Sequence, residues 1–138
     1  MEIRIFHTAD TQAVIALWKA CGLVQPQNNP QLDIERKLTQ QAELFFIGHQ
    51  GEEIIASAMF GYDGHRGWVN YLAVAPTHQK NGHAQAMMRH GETALAALGC
   101  PKLNLQVRKT NAAAVQFYLA SGYGEDEVLS FGKRLIKD

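Results

Sequence analysis

Residues 71–84 read YLAVAPTHQKNGHA, and they form the most informative segment of the chain. The apolar half predicts a β-strand that ends before Pro76, and Gly82 lies in a loop that leads directly into a helix. The first N–H groups of a helix have no partner within it, and the helix dipole places partial positive charge at that end. The segment therefore predicts an anion site between a strand and a helix.

The loop within this segment, residues 79–84, is suited to a phosphate group. Gly82 and Ala84 carry little or no side chain, so a pyrophosphate can approach their main-chain N–H groups closely. Lys80 adds a point charge at the rim. The spacing matches neither a P-loop nor a dinucleotide fingerprint, which needs G-x-G-x-x-G. Taken alone, the loop equally predicts an ordinary turn in which Gly82 only serves the geometry.

A second pattern lies at residues 111–123, which read NAAAVQFYLASGY. Asn111 is a good helix N-cap, and Gly122 is a typical residue at a helix end. A capped helix with an aromatic core face would also explain Phe117 and Tyr123. That alternative does not explain why this helix follows the glycine loop in this order.

Together, the two patterns resemble the acyl-CoA site of the GNAT superfamily of N-acetyltransferases. Residues 79–84 match Gln/Arg-x-x-Gly-x-Gly/Ala, and residues 111–123 match Asn-x-x-Ala-x-x-Phe-Tyr-x-x-x-Gly-Phe/Tyr. The resemblance covers almost the whole chain and implies one GNAT domain over residues 1–138. Three further segments resemble a small bacterial branch of the superfamily, the YpeA type: residues 33–37, 61–67 and 132–136.

The resemblance implies acetyl-CoA as co-substrate, with CoA as product, and assigns residues to it. The strand residues Leu72 and Val74 would donate main-chain N–H groups to the acyl carbonyl and the pantetheine arm. Tyr118 would act as the general acid for the departing thiolate, with a purely packing role for its phenol as the alternative. The residues implied to bind the cofactor are Leu72, Ala73, Val74, Gln79, Lys80, Asn81, Gly82, His83, Ala84, Asn111, Ala114, Phe117 and Tyr118.

The acceptor side is less well defined by the sequence. The superfamily often uses a Glu or Asp near the strand before the loop, but Asn70 and Tyr71 occupy that place, so no carboxylate is expected there. Asp63 and His65 on the preceding turn are candidates for the base or the acceptor side, since a histidine titrates near neutrality. Asp63 followed by Gly64 is also ordinary turn chemistry.

The pattern of apolar residues predicts a mixed α/β fold. The resemblance adds a single, mostly antiparallel sheet with a splayed central strand pair and about four flanking helices. The predicted helices are residues 11–21, with Asp10 as N-cap, 33–41, 82–98 and 111–121. The predicted strands are residues 2–6, 44–49, 53–62, 68–74 and 103–107, with a final antiparallel pair at 123–129 and 131–136.

Composition restricts the classes of function. Thirteen basic and thirteen acidic side chains cancel, so the net charge does not favour nucleic acid or an anionic membrane as a partner. Neither Cys21 nor Cys100 lies in a metal-ligand spacing, nor do the histidines, so no metal is predicted. No apolar run resembles a signal peptide or a membrane span, and we expect a cytoplasmic monomer or homodimer.

The leading hypothesis is direct transfer of an acetyl group from acetyl-CoA to an amine, on a small molecule or a protein. The alternative is a catalytically silent module that binds or senses acyl-CoA. Tyr118 favours the enzyme, while the missing strand carboxylate favours the sensor. A third hypothesis, acetylation of an aminoacyl-tRNA, is disfavoured by the neutral net charge.

Overall fold

The structure is a computed structural model that describes all 138 residues. The chain divides into two units, Met1–Leu105 and Gln106–Asp138. The first unit contains β1 (Glu2–Ile5), α1 (Thr11–Ala20), α2 (Pro30–Lys37), β2 (Phe45–Gln50), β3 (Glu53–Tyr62), β4 (Gly67–Val74), α3 (His83–Ala97) and β5 (Leu103–Asn104). The second unit contains α4 (Ala112–Ala120).

The five strands form one sheet in the order β1-β2-β3-β4-β5. The strands β1 to β4 pair antiparallel, and β5 joins β4 in parallel. This parallel pairing involves only two pairs of residues, Gly67 with Leu103 and Trp68 with Asn104. The predicted mixed α/β class, with a mostly antiparallel sheet and four helices, is confirmed.

The two faces of the sheet bury different helices, as the alternation of side chains along a strand requires. On one face, Phe45 of β2 packs beside Trp18 of α1, and Ile34 of α2 joins the same cluster. On the other face, the neighbouring Phe46 contacts His90 of α3 edge-on. Helix α3 comes close to the sheet at Gly91, where a Cβ atom would overlap the ring of Phe60.

Several predicted boundaries differ from those observed. Helix α2 begins three residues earlier than expected, because Asn29 caps it by accepting a hydrogen bond from Leu32 N and Pro30 occupies its first position. Strand β5 ends at Asn104, although the alternation continues to Val107. The alternation marks a half-buried extended segment, but it does not show how far a neighbouring strand stays in pairing distance.

Asp10 occupies the N-cap position of α1, as predicted, but its side chain makes no capping hydrogen bond to the helix. Its carboxylate instead accepts hydrogen bonds from both terminal nitrogens of Arg4, at 2.8 and 3.0 Å, and from His7 N at 2.8 Å. The hydrogen bonds from Arg4 lower the pKa of Asp10, although burial of the carboxyl works in the opposite direction. This pair fixes the turn between β1 and α1.

In the second unit, Asn111 caps α4 by accepting from Ala114 N at 3.1 Å. The helix ends in a Schellman motif: Tyr123 N donates to Tyr118 O, and Gly122, with a φ of 92°, donates to Leu119 O. The predicted final strand pair is wrong, since residues 123–138 contain no strand. Glycines and adjacent apolar pairs interrupt the alternation there, so neither segment presents a sustained apolar face.

Replacing Asp10 with Asn should lower the free energy of unfolding by about 2 kcal/mol at pH 7, because a charge-assisted pair is lost. The folded-state pKa lies below the unfolded value near 4, so this stabilisation is present above the unfolded pKa. It is lost as the pH falls through the folded pKa. Urea denaturation at pH 7 and at about pH 3 should show a smaller difference in acid, and an undiminished difference would contradict this assignment.

Candidate active site

A β-bulge interrupts β4 in the middle of the sheet. Ser57 of β3 lies opposite Ala73, but Met59, two residues later, lies opposite Asn70, three residues earlier. Strand β4 therefore carries one extra residue at Tyr71 and Leu72, and Tyr71 has a left-handed φ of 53°. A bulge of this kind bends and twists the strand that contains it.

A buried chain of hydrogen bonds holds the bulge. The indole Nε1 of Trp18 donates to Ser57 Oγ at 2.9 Å, and Ser57 Oγ donates to the main-chain oxygen of Tyr71 at 2.9 Å. Both Trp18 and Ser57 are fully buried. The ring of Tyr71 stacks on Trp18, with 3.7 Å between ring centroids. Both the main chain and the side chain at the bulge are thus fixed.

Beyond Trp68, β4 has a partner strand on only one side. Ala75 N donates to Ile55 O in β3, and successive residues of a strand direct their main-chain groups to opposite edges. The groups of Val74 therefore point to the unpaired edge. Of the three predicted strand residues, Ala73 and Val74 lie opposite Ser57 and Ala56 of β3, and Leu72 lies in the bulge. The main-chain groups of Ala73 point toward β3, and those of Val74 point to the open edge.

The predicted phosphate loop is tied to the end of this strand. The side-chain amide of Gln79 donates to Val74 O at 2.9 Å, and Asn81 donates to His78 O at 3.4 Å. Lys80 and Gly82 both adopt left-handed φ values, 65° and 81°. The loop thus turns sharply between the strand and α3.

Helix α3 begins with an N-terminus that no side chain caps. Gly82 occupies the N-cap position, no side chain accepts a hydrogen bond from the first turn, and the first helical hydrogen bond runs from Ala86 N to Gly82 O. The N–H groups of His83, Ala84 and Gln85 consequently have no partner within the helix. A Cβ atom at Gly82 would meet nothing within 4 Å. This open, positively polarised end is able to bind an anion such as a phosphate group.

The turn that carries Asp63 and His65 has a different setting. Asp63 Oδ1 accepts from Arg66 N at 2.7 Å and from His65 N at 2.8 Å, and these hydrogen bonds lower the pKa of Asp63. The turn lies just before Gly67, at the end of β4 that pairs with β5. Gly67 is roughly 13 Å from Tyr71 along the strand. The acceptor-side roles of Asp63 and His65 stay predictions.

Helix α2 brings a carboxylate to the bulge that the sequence did not indicate. The phenol of Tyr71 donates to Asp33 Oδ2 at 2.5 Å. Burial of the ring, together with this carboxylate, raises the pKa of Tyr71. No carboxylate stands on the strand itself, as expected. The two partners are 38 positions apart in the sequence, so no local pattern indicated the contact, and only the packing of α2 brings them together.

The remaining predicted residues lie on α4. Burial raises the pKa of Tyr118 to about 12, so its phenol keeps its proton at neutral pH. Its ring packs edge-on against Phe117 and Tyr123, with centroids 5.0 and 5.7 Å away. The side chain of Asn111 is used in the cap of α4. A neutral, half-buried phenol is able to donate a hydrogen bond to a thiolate.

The chain shows neither a metal-binding cluster nor a membrane-spanning helix. No group of three or more His, Cys, Asp or Glu side chains is arranged to hold a metal ion. None of the helices has the length and apolar character that crossing a membrane requires.

Comparison with known proteins defines the class. A sequence model of the Acetyltransferase (GNAT) family matches residues 10–123. An "Acetyltransferase" from Yersinia pestis (strain Pestoides F) is 46% identical over 138 residues, covering 100% of this chain and 98% of that protein. The chain therefore belongs to the GNAT acetyltransferase family. It is an acyltransferase enzyme.

Solved structures show the same fold. The ribosomal-protein-S18-alanine N-acetyltransferase from Escherichia coli superimposes with a TM-score of 0.75 at 24% identity, covering 91% of this chain and 78% of that one. AAC(6')-Iy, in complex with the bisubstrate analogue CoA-S-monomethyl-acetylneamine, gives 0.79 at 18% identity, covering 96% and 97%. At these sequence identities, the similarity shows only that the fold is shared.

Replacing Ser57 with Ala should lower the free energy of unfolding by about 2 kcal/mol, because it leaves the Trp18 indole N–H and the Tyr71 carbonyl without their partner. The matched control is Thr93→Ala, which removes an exposed hydroxyl that donates to Arg89 O within α3. This control should change stability by less than about 0.5 kcal/mol. Equal losses in urea denaturation would show that the Ser57 bridge contributes nothing specific.

Proposed function

We propose that this acyltransferase moves the acetyl group of acetyl-CoA to an amine by direct attack of the amine. The observation that carries the proposal is the uncapped N-terminus of α3, which opens at Gly82 next to a strand with a free edge. The two features together suit a ligand with a pyrophosphate and an extended amide arm. The E. coli neighbour is named for an alanine of a ribosomal protein, and the AAC(6')-Iy ligand contains an acetylated amino sugar, so both names fit an amine acceptor.

Different residues of the chain would bind different parts of the cofactor. The N–H groups of His83 and Ala84 would bind the pyrophosphate, Lys80 would add charge, and Gln79 and Asn81 would hold the loop in shape. The main-chain N–H of Val74, on the open edge of β4, would donate to the pantetheine arm as an added strand does, whereas its carbonyl oxygen already accepts from Gln79 and from Cys21 Sγ. The residues of the α4 segment that would also bind the cofactor, as the family resemblance implies, are Asn111, Ala114 and Phe117.

The same residues supply the chemistry. Bound acetyl-CoA would provide an activated acetyl thioester. The main-chain N–H of Leu72, in the bulge, would stabilise negative charge that develops on the acetyl oxygen. The attacking amine must be neutral, so its ammonium form gives up one proton to solvent water before attack. Tyr118 would donate a proton to the sulfur as the C–S bond breaks and the new N–C bond forms.

A Gly82→Glu variant tests the phosphate loop. The glutamate would place bulk and negative charge against the pyrophosphate, so the affinity for acetyl-CoA should fall at least about tenfold. Gly99→Glu is the matched control, since Gly99 has a φ of 85° and equally open space at the other end of α3. In the wild type, a hundredfold excess of acetyl-CoA over its Kd should add about 2.7 kcal/mol, a thermal shift of several degrees.

The same titration with CoA, ATP and NAD separates the cofactor from other pyrophosphates. Acetyl-CoA and CoA should shift the wild type and the Gly99→Glu control, whereas ATP and NAD should not. A thermal shift with acetyl-CoA in Gly82→Glu that equals the wild-type shift would contradict the assignment of the loop as the pyrophosphate site. Equal shifts with all four ligands would indicate a general phosphate site.

A Tyr118→Phe variant tests the general acid. The value of kcat, followed as thiol release with the best amine of a screen, should fall about a hundredfold. The Kd for acetyl-CoA should stay within about twofold, because the hydroxyl acts only as the thiolate leaves. Tyr62→Phe is the control, because it removes a phenol at the end of β3 that donates to Gly64 O. Unchanged turnover in Tyr118→Phe would exclude Tyr118 as the acid.

A further inference from the structure

Asp33 and Tyr71 form a polar pair at the bulge that has no role in the proposed transfer. The phenol of Tyr71 donates to Asp33 Oδ2 at 2.5 Å, joining the first half of α2 to β4. Tyr71 directly precedes Leu72, whose N–H is proposed to face the acetyl oxygen. The carboxylate therefore lies within one tyrosine side chain of the reacting centre.

The carboxylate of Asp33 is still accessible to a ligand. Its side chain is 26% exposed, and only Oδ2 is engaged by Tyr71. Its other oxygen, Oδ1, forms an ion pair with Nη1 of Arg36 at 3.8 Å, which is too long for a hydrogen bond. Oδ1 can thus accept a hydrogen bond from a bound cation while Tyr71 fixes the orientation of the group.

Other acidic residues of the first unit form hydrogen bonds away from the bulge. Asp10 is bonded to Arg4, and Asp63 closes the β3–β4 turn. Glu35, on the same helix as Asp33, accepts from Gln31 on the exposed face. Asp33 is the carboxylate that contacts β4 at the bulge.

We infer that Asp33 binds an ammonium group of the acceptor other than the amine that attacks, and that the substrates of this enzyme are primary amines that carry such a second cation. This inference rests on the proposed acetyl transfer and names its substrate class. Primary alkylamines are protonated at neutral pH, and a half-buried carboxylate binds such a cation more strongly than an exposed one does. Tyr71 is a positioning residue, because it acts through Asp33.

The test compares Asp33→Asn with Glu35→Gln, which removes the same charge from the same helix. The cationic probes are cadaverine, spermidine and lysine methyl ester, and the neutral probe is aniline. Asp33→Asn should raise KM for the cationic amines about tenfold, since a charge-assisted contact is lost. The kcat, the Kd for acetyl-CoA and the KM for aniline should change less than about twofold. Glu35→Gln should resemble the wild type throughout.

Tyr71→Phe gives a second measurement with the aromatic ring retained. It should raise KM for the cationic amines with little change in kcat or in the acetyl-CoA Kd, because the carboxylate loses its positioning partner. Equal effects of Asp33→Asn and Glu35→Gln, or equal effects on cationic amines and aniline, would overturn the inference. Binding of acetyl-CoA without acetylation of any cationic probe would also overturn it. Absence of an acetyl-CoA thermal shift in the wild type would count against the proposed function itself.

Discussion

The hydroxyl group of Ser57 carries the interaction on which the rest of the site depends. It is buried in the middle of the sheet, accepts the indole N–H of Trp18 and donates to the main-chain oxygen of Tyr71. The bulge takes that oxygen out of the regular pairing of the strands, and a buried carbonyl without a partner costs free energy. Ser57 satisfies the oxygen from the neighbouring strand, so the irregular backbone is stable at this position.

The bulge in turn directs the path of the chain toward α3. Strand β4 leaves β5 after two residue pairs, and its last residues run with one edge free. Gln79 bonds to Val74 O at the end of that edge, which fixes the distance between the strand and the turn before α3. Left-handed backbone at Lys80 and Gly82 completes the turn. A free strand edge and an uncapped helix end are therefore connected by one short loop.

Local patterns in the sequence predicted much of this arrangement. The loop from Gln79 and the cap at Asn111 are determined by neighbours within a few residues, so spacing reveals them. Asp33 is different, because its contact with Tyr71 depends on how α2 packs across the sheet. The bonding of Asp10 was missed for a similar reason: it is the N-cap residue of α1, as predicted, but its carboxylate bonds to Arg4, on another element, and not to the helix. The spacing of apolar residues within one helix or strand does not show which charged residue of another element its side chains will pair with.

The presence of a tyrosine at position 71 indicates that the bulge has a second role. A left-handed backbone at a non-glycine residue costs about 1–2 kcal/mol, and a glycine at this position would avoid that cost. Geometry alone would therefore favour glycine. The ring of Tyr71 stacks on Trp18, however, and its hydroxyl group holds Asp33. One residue thus supplies the irregular main chain on the proposed donor side and orients a carboxylate on the proposed acceptor side, which is a reason for the strain to persist.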